Sequence, residues 1–505
     1  MNNRSRSSRW ALAVLLGLLV AAPVLAAEKV TDSSITTWIN EGLRRDPLVE
    51  ASKVSLSTEN GIVTLSGTVD NLAARNRADL EAKKIRGVRG VINEISVTPS
   101  FRSDVDIASH VRRRILNDAV IESEGIRVTS VNGKVTLHGD VATWSEAQQA
   151  TLLASEVRGV KEVENEILPK YTTQRSDQEI KNDAMAALGR DVYLVDLPIT
   201  VAVEDAVITL TGSVGSPFEQ DRAARNVRWI SHVKSVKNEL EVKPWENLGA
   251  RKKELDPSDR AIAAAVRDEL KQDHRFDASE IDVRAFYGTV SLEGSVPNHA
   301  QKRLAEKDAR DVVGVRWVTN KLFAKTDRRE DWAIRDDIKF DFDTDFELEE
   351  LDLDAKVEDG VVTLTGTVPH WYDETHAVDV AGRVRGVREI VNEIRVHRET
   401  ETSRIHSGSS VADEIKNSFK WHWATHWIAD RIHVRVEGGV TTLTGDVDTW
   451  AQRREAGRAA FDTEGVWKVV NRLTVKGYDY EWENWDYGEP YGDYYYWDEY
   501  GDWIG

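Results

Sequence analysis

Three histidines and three tryptophans lie close together in KWHWATHWIADRIH, residues 420–433. His422 and His426 are four residues apart, which would place both imidazoles on one face of a helix, as in zinc-binding helices. No glutamate adjoins His422 as in the HExxH pattern, and the chain contains no cysteine that could complete a site. We interpret Trp421, Trp423 and Trp427 as packing against the sheet of the sixth copy of a unit that recurs along the chain, or against a neighbouring copy. An aromatic surface for a membrane interface or a partner is the alternative.

A second candidate for metal chemistry is the acidic run DFDTDFELEELDLD, residues 341–354. Asp341, Asp343 and Asp345 have the spacing of the first ligands of a calcium-binding loop. Phe346 stands where that loop needs glycine, and Asp352 stands where it needs a bidentate glutamate. We therefore predict no metal site and no cofactor, and we interpret the run as a solvated acidic face over a few buried Phe and Leu side chains.

Composition and motifs argue against most other chemistry. No GxSxG elbow, Walker loop or dinucleotide-binding pattern occurs in the chain. The absence of cysteine excludes disulfides and thiol nucleophiles. The net charge of -19 opposes nucleic-acid binding, which depends on lysine and arginine. We expect a binding protein and not an enzyme.

These residues belong to a chain built from one recurring unit. A phrase such as GIVTLSG appears six times in the 505 residues, opened by glycine in five copies and by Ala206 in the third, and an Asn follows each closing glycine by 26 positions. A repeat of this length indicates small domains in series. The recurring positions are Gly61, Gly67 and Asn93; Gly133, Gly139 and Asn165; Ala206, Gly212 and Asn238; Gly288, Gly294 and Asn320; Gly360, Gly366 and Asn392; and Gly439, Gly445 and Asn471.

The hydrophobic pattern of each copy predicts the order α-β-β-α-β, a two-layer α+β sandwich. In the first copy Asp32, with Ser33 or Ser34, is expected to cap the first helix. The glycines are expected to make the hairpin turns, and the Asn to open the closing strand. We number the copies modules 1 to 6, with predicted boundaries 32–97, 103–168, 176–242, 258–325, 330–396 and 410–475.

Units this small bury little surface, so we expect the modules to pack on neighbouring copies. The longer linkers at 243–257 and 397–409 suggest that the array divides into modules 1, 2 and 3, then 4 and 5, then 6.

The two ends of the chain differ from the modules. Arg4, Arg6 and Arg9 precede an apolar stretch and a small-residue site near Ala26 and Ala27, which predicts a cleaved signal peptide over residues 1–27. An uncleaved membrane anchor is the alternative. Residues 477–505 hold many Tyr, Trp, Asp and Glu and no Lys or Arg, and we predict a low-complexity tail.

An aromatic residue recurs five positions after the closing glycine, at Trp144, Trp371 and Trp450. This is the start of the predicted second helix. The simplest interpretation is a ring that covers the end of the hairpin, and a shared ligand-contact position is the alternative.

The bracketed VTL hairpin, the alanine-rich helix and the closing strand with its Asn resemble the BON domain, over about residues 32–475. The resemblance implies a periplasmic, envelope-associated protein without catalytic residues. It also implies phospholipid-surface binding, envelope maintenance and protection under osmotic stress, and the domain has been called transport-associated. The partners it suggests are lipid headgroups, an envelope polymer or envelope proteins, with no integral membrane span. A periplasmic chaperone or scaffold for protein clients is the alternative function.

Overall fold

The computed structural model describes most of the six predicted modules. Its described residues are 30–46, 48–121, 125–171, 174–243, 257–273, 278–369, 371–396, 408–448, 450–463, 465–466 and 468–475. The predicted signal peptide and the acidic tail lie outside them. Among the described helices, none is both long enough and apolar enough to cross a membrane.

Each module has the predicted order α-β-β-α-β, so the α+β prediction is confirmed. In modules 1 to 3 the elements are α1 Asp32–Arg45, β1 Val54–Glu59, β2 Ile62–Val69, α2 Leu72–Lys83 and β3 Gly90–Val97; α3 Asp104–Asn117, β4 Arg127–Val131, β5 Lys134–Val141, α4 Trp144–Ser155 and β6 Glu162–Pro169; and α5 Asp177–Arg190, β7 Ile199–Glu204, β8 Val207–Val214, α6 Pro217–Arg228 and β9 Ser235–Val242.

Modules 4 to 6 repeat this plan. Their elements are α7 Asp259–Gln272, β10 Ile281–Phe286, β11 Thr289–Val296, α8 His299–Asp311 and β12 Trp317–Ala324; α9 Asp331–Thr344, β13 Asp352–Glu358, β14 Val361–Val368, α10 Trp371–Arg383 and β15 Glu389–Val396; and α11 Gly408–Trp421, β16 Ile432–Glu437, β17 Val440–Val447, α12 Trp450–Phe461 and β18 Lys468–Val475.

The three strands of each module form one sheet with the second strand in the centre. The first pairs with it antiparallel and the third parallel; in module 1, for example, Leu65 lies between Leu56 and Asn93. In the core of module 1, Ile39 of α1 and Ala78 of α2 pack with Leu65. The helices therefore cover one face of the sheet. The alternate strand residues, which point to the other face, are in contact with solvent.

The two recurring glycines are needed for different reasons. The opening glycine and the residue before it both have positive φ, 77° at Gly61 and 52° at Asn60, as a tight hairpin turn requires. At the closing Gly67 a Cβ would lie 2.1 Å from the carbonyl oxygen of Lys53. Ala206 takes the turn position of module 3 at a φ of 63°.

The recurring Asn lies inside the closing strand and does not open it, so that expectation is wrong. Asn93 is the fourth residue of β3. Its Nδ2 donates to the carbonyl oxygen of Arg75 at 3.0 Å, and its Oδ1 accepts from the amide of Ile95 at 3.1 Å. The side chain thus ties the edge strand to the second helix, because the carbonyl it bonds lies in α2.

A carboxylate at the start of the first helix holds the hairpin turn, which sequence reasoning missed. In module 1 the N-cap is Thr31, and Asp32 accepts the amides of Asn60 and Gly61, each at 2.8 Å. The detectable signal is an Asp 29 residues before the opening turn position in five modules. In module 6 that position is Ser410, and the first helix begins at Gly408. The five aspartates are Asp32, Asp104, Asp177, Asp259 and Asp331.

The modules pair in a nested order, 1 with 6, 2 with 5 and 3 with 4. The residue just after the first helix of one module forms an antiparallel bridge with a residue just beyond the second helix of its partner. At the bridge between Ile85 and His422, the amide of Arg86 donates to the carbonyl oxygen of Trp421 at 2.9 Å. The amide of Trp423 donates to the carbonyl oxygen of Lys84 at 3.0 Å. The bridges are Ile85 with His422, Asp118 with Val384, Val157 with Asp345, and Asp191 with Val312.

Two bridges join modules 2 and 5. In one, the end of the first helix of module 2 meets the end of the second helix of module 5, and in the other these roles are exchanged. The expected division of the array into modules 1, 2 and 3, then 4 and 5, then 6 is therefore wrong. Linker length reflects only which modules are close along the chain, whereas contacts at the helix ends join modules that are distant in sequence.

Candidate functional site

The histidine pair of residues 420–433 does not form a helical metal site. The helix α11 ends at Trp421, so His422 and His426 lie in the turn that follows it. The Nε2 of His422 lies 3.6 Å from Glu455, whereas the Nδ1 of His426 lies 3.0 Å from the carbonyl oxygen of Trp423. Within the described residues no group of three or more His, Asp or Glu side chains is arranged to hold a metal ion.

Two tryptophans of this segment join module 6 to other modules. Trp421 stacks on Trp38 of module 1, with ring centroids 6.3 Å apart. Trp423 is 3% exposed and stacks on Phe218 of module 3 at 5.3 Å. Both rings therefore pack on other copies, as the preferred interpretation expects. The alternative of an external ligand surface is wrong for these two residues, because their faces are covered by other modules of the same chain. Trp427 remains 43% exposed.

A line of three polar side chains, two of them buried, runs beside Trp423. The hydroxyl of Tyr193 in module 3 donates to Glu455 of module 6 at 2.8 Å, and Glu455 also faces His422. Burial lowers the pKa of His422 to about 4, although Glu455 opposes this shift. Burial raises the pKa of Tyr193. The phenol and the imidazole are therefore both neutral at pH 7, and the hydrogen bond from Tyr193 to Glu455 joins module 3 to module 6.

The helix-end position occupied by His422 carries Asp in the other five modules. In module 3 Asp191 accepts from Arg222 of α6 at 2.8 Å. Module 6 reverses the acidic and basic residues of this pair, with His422 at the end of the first helix and Glu455 on the second helix. The residues at the two positions are Asp46 and Arg77, Asp118 and Gln149, Asp191 and Arg222, Asp273 and Leu304, Asp345 and His376, and His422 and Glu455.

A cavity of about 360 Å³ opens where modules 1 and 6 meet. Its walls include ion pairs of both signs: Lys84 lies 2.7 Å from Glu81, and Arg458 lies 3.8 Å from Asp462. Burial and the nearby Arg458 lower the pKa of Lys84. Although burial opposes it, Lys84 and Arg77 bring the pKa of Glu81 to about 2. These charges largely compensate one another, so the cavity offers no strong attraction to a ligand of either sign.

The acidic run at 341–354 does not fold as a calcium-type loop, because α9 continues through its first residues to Thr344. Asp343 is exposed, whereas Asp341 and Asp345 are 6% and 0% exposed. The predicted solvated acidic face is therefore wrong for these two residues. Burial raises the pKa of Asp341 to about 7, against the opposing charge of Arg114.

The buried end of this run joins modules 2 and 5. Arg114 of module 2 is 1% exposed and lies 3.2 Å from Asp345 and 2.9 Å from Glu156. His376 lies 2.9 Å from Asp345 on its other side, and Arg383 of module 5 pairs with Glu156 at 3.0 Å. The carboxylates thus hold two modules together instead of binding a cation.

The recurring aromatic position is the first residue of the second helix, as predicted. Trp144 begins α4 and lies half-buried against the core of module 2. Trp371 and Trp450 begin α10 and α12, and their side chains lie outside the described ones. The shared ligand-contact position therefore stays a prediction.

A model of the BON domain matches six segments of the chain, at residues 31–99, 103–168, 176–244, 258–324, 330–398 and 407–477. The chain belongs to the BON domain family. Each matched segment contains one three-stranded sheet with its two helices.

Curated relatives are similar over a stretch about twice the length of one module. Osmotically-inducible protein Y of Escherichia coli K12 is 28% identical over 146 residues, which are 28% of this chain and 73% of that protein. Outer membrane lipoprotein DolP of Haemophilus influenzae is 31% identical over 162 residues, which are 30% of this chain and 83% of that protein.

Among solved structures, CdsD, a structural protein of the type III secretion system of Chlamydia trachomatis, aligns with 43% of this chain and 97% of its own length. The identity is 15% and the TM-score is 0.13, so this likeness carries no argument.

Proposed function

We propose that this chain is a non-enzymatic protein of the bacterial cell envelope that attaches to phospholipid or envelope-polymer surfaces. Its role would lie in envelope maintenance or in protection under osmotic stress. The relatives named for osmotic induction and for the outer membrane support the compartment. The predicted signal peptide would deliver the chain to the periplasm.

The observation that carries this proposal is the presence of six BON modules whose helices meet one another while a face of each sheet stays open to solvent. Several weak contacts on one chain raise the avidity for a repetitive surface without any tight individual site. Because the modules are paired, their open faces are held at fixed distances from one another. Binding then costs less conformational entropy than it would for modules on flexible linkers.

The experiment is co-sedimentation of the mature chain, residues 28–505, with vesicles of phosphatidylethanolamine and phosphatidylglycerol, and separately with purified envelope polymer. We expect saturable pelleting with at least one of these surfaces. A soluble acidic protein of similar net charge is the control. Absence of pelleting with every surface would contradict the proposal.

A further inference from the structure

One hairpin tip of the molecule is aromatic and open to solvent. Phe286 ends β10, Tyr287 is the first turn residue, and Trp317 begins β12. Their exposed fractions are 66%, 61% and 44%. The register places Phe286 beside Thr289 and Thr289 beside Trp317, so the two rings flank one residue at the same end of the sheet. Phe286 and Tyr287 are in edge contact, with centroids 4.5 Å apart. We call these three residues the module 4 tip.

The same positions in the other modules are almost entirely polar or glycine. Only Val131 in module 2 is a large apolar residue among them. The repeated fold therefore does not require aromatic residues at this place. The counterparts are Glu59, Asn60 and Gly90; Val131, Asn132 and Glu162; Glu204, Asp205 and Ser235; Glu358, Asp359 and Glu389; and Glu437, Gly438 and Lys468.

The backbone at Tyr287 also disfavours a bulky residue. Its φ is 47°, in the left-handed region where Asn, Asp and Gly are preferred. Four of the other five modules place Asn or Asp there, and the remaining one places glycine. Module 4 therefore keeps a large ring at a strained position and in water, which lowers stability without adding to the core. Strain of this kind is concentrated at functional sites.

The charge of the tip suits a phosphate-bearing surface. Two arginines, Arg284 and Arg316, lie beside the rings in sequence. The carboxylate at the turn is that of Asp259, which accepts both backbone amides of the turn, each at 2.8 Å. The carboxylates that pair with Arg284 are Asp282 and Glu293, which lie further along the strands from the turn. Aromatic rings with adjacent guanidinium groups match the headgroup region of a bilayer, where rings meet the apolar boundary and arginine meets phosphate.

We propose that the module 4 tip inserts into the headgroup region of a phospholipid bilayer and is the principal lipid contact of the chain. This rests on the proposed function in its lipid form and names the surface that performs it. Three rings enter the interface while Arg284 and Arg316 face the phosphates. The net negative charge of the chain weakens attraction to anionic lipid, so the rings supply most of the binding and high salt reduces it only slightly.

The test replaces the tip with the residues of module 1: Phe286→Glu, Tyr287→Asn and Trp317→Gly. Asn suits the left-handed turn, so the variant is expected to fold, which its circular dichroism checks. The control variant combines Phe101→Asn with Trp332→Glu; it removes two aromatic residues that are 92% and 61% exposed and adds the same single charge. Both are compared with the mature chain on vesicles of phosphatidylethanolamine and phosphatidylglycerol.

We expect at least about tenfold weaker partitioning for the tip variant, because three rings lose their interfacial contact, and a change within about twofold for the control. If the mature chain binds vesicles and the tip variant binds equally well, the tip assignment is overturned and the proposed function stands. If the mature chain binds only envelope polymer, the tip assignment is likewise overturned. If it binds neither surface, both proposals fail.

An independent readout uses the absence of native cysteine. A polarity-sensitive dye on Tyr287→Cys is expected to shift to the blue when vesicles are added. The same dye on Val131→Cys, at the tip of module 2, is expected to stay unchanged. A shift at the module 2 tip alone would overturn the assignment. Capture of an envelope protein by a photocrosslinker at position 287, without a dye shift on vesicles, would also overturn it.

Discussion

At the junction of modules 3 and 6, the buried Tyr193 and Glu455 and the half-buried His422 form one polar line beside Trp423. Burying such groups costs free energy, and the cost is offset only when each finds a partner in the right position. The same holds for Arg114, Glu156 and Asp345 between modules 2 and 5. These residues therefore make the correct module pairing favourable and an incorrect pairing costly.

The neutral state of His422 makes the fold sensitive to acid. Its pKa is about 4 in the folded chain and about 6.5 when unfolded, so the unfolded state binds more protons between these values. The contribution of the neutral imidazole to the free energy of unfolding is complete above pH 6.5. As the pH falls from 6.5 towards 4, that free energy decreases by about 3 kcal/mol. The charged groups around it are Glu455, Lys84, Arg458 and Glu81.

We therefore expect His422→Gln to lose less stability than the original chain when urea unfolding is compared at pH 7.0 and pH 4.5. The exposed His433→Gln is the control and should follow the original pH profile. An unchanged pH dependence for His422→Gln would show that this imidazole is not held neutral.

Trp423 is a single-residue anchor for module 6. Its ring is 3% exposed and contacts Phe218 and Tyr193 of module 3. Trp423→Ala should lower the free energy of unfolding by about 3–5 kcal/mol, the range for deleting a buried aromatic ring. Trp427→Ala, which removes a ring that is 43% exposed, should cost much less. Equal losses in chemical denaturation would contradict the assigned packing.

At the scale of elements, the hairpin is held by contacts to its backbone, one from a glycine and one from a carboxylate side chain. The closing glycine approaches the carbonyl oxygen before the first strand, and the carboxylate that begins the first helix accepts both turn amides. Module 6 has Ser410 in place of that carboxylate and uses two glycines, Gly438 and Gly439, in the turn. Two consecutive glycines adopt positive φ without strain. The turn of module 6 can therefore form although its first helix has no carboxylate at that position.

Two glycines of module 3 provide a matched test. A Cβ at Gly212, where φ is 122°, would lie 2.0 Å from the carbonyl oxygen of Pro198. Gly212→Ala should therefore cost about 4 kcal/mol or more, as backbone strain and a clash combine. Gly189 lies in α5 with nothing within 4 Å of an added Cβ, so Gly189→Ala should stabilise by about 0.5–1 kcal/mol. Thermal unfolding measures both, and similar changes in the two variants would contradict the close approach.

For the whole molecule, the nested pairing brings the two ends of the array together. Modules 1 and 6 meet although modules 2 to 5 lie between them along the chain. Such contacts carry a large loop-closure cost, which grows only slowly with length and is offset by the buried contacts between modules. Further contacts link the pairs, such as Lys83 of module 1 with Asp221 of module 3 at 2.6 Å.

Engineered cysteines can test this topology, because the chain has none of its own. Ile85 and His422 face each other without hydrogen bonds between their own amides, a geometry that brings side chains close. Ile85→Cys with His422→Cys should form a disulfide that changes mobility on a non-reducing gel. Ile85→Cys with Val384→Cys should not, because Val384 bridges to Asp118. Crosslinking of the mismatched pair alone would contradict the nested order.

Local pattern was sufficient to predict the module. Alternating Val and Leu, glycines at fixed spacing and an amphipathic first helix specify a hairpin and the helices that cover it, because each signal acts within a few residues. The role of the Asn was only partly recognised. Its strand could be predicted, but its bond to the carbonyl oxygen of Arg75, 18 residues earlier, depends on how the helix lies on the sheet.

By itself the sequence determined the six-module α+β organisation and the family, because both depend on short-range signals repeated six times. Only the tertiary structure decided that Trp423 is buried in module 3, that Asp345 pairs with Arg114 of module 2, and that the first module meets the last. The physical reason is that a tryptophan or an aspartate has the same local pattern on an open surface and at a junction. Its surroundings are set by side chains of modules that lie far away in the chain.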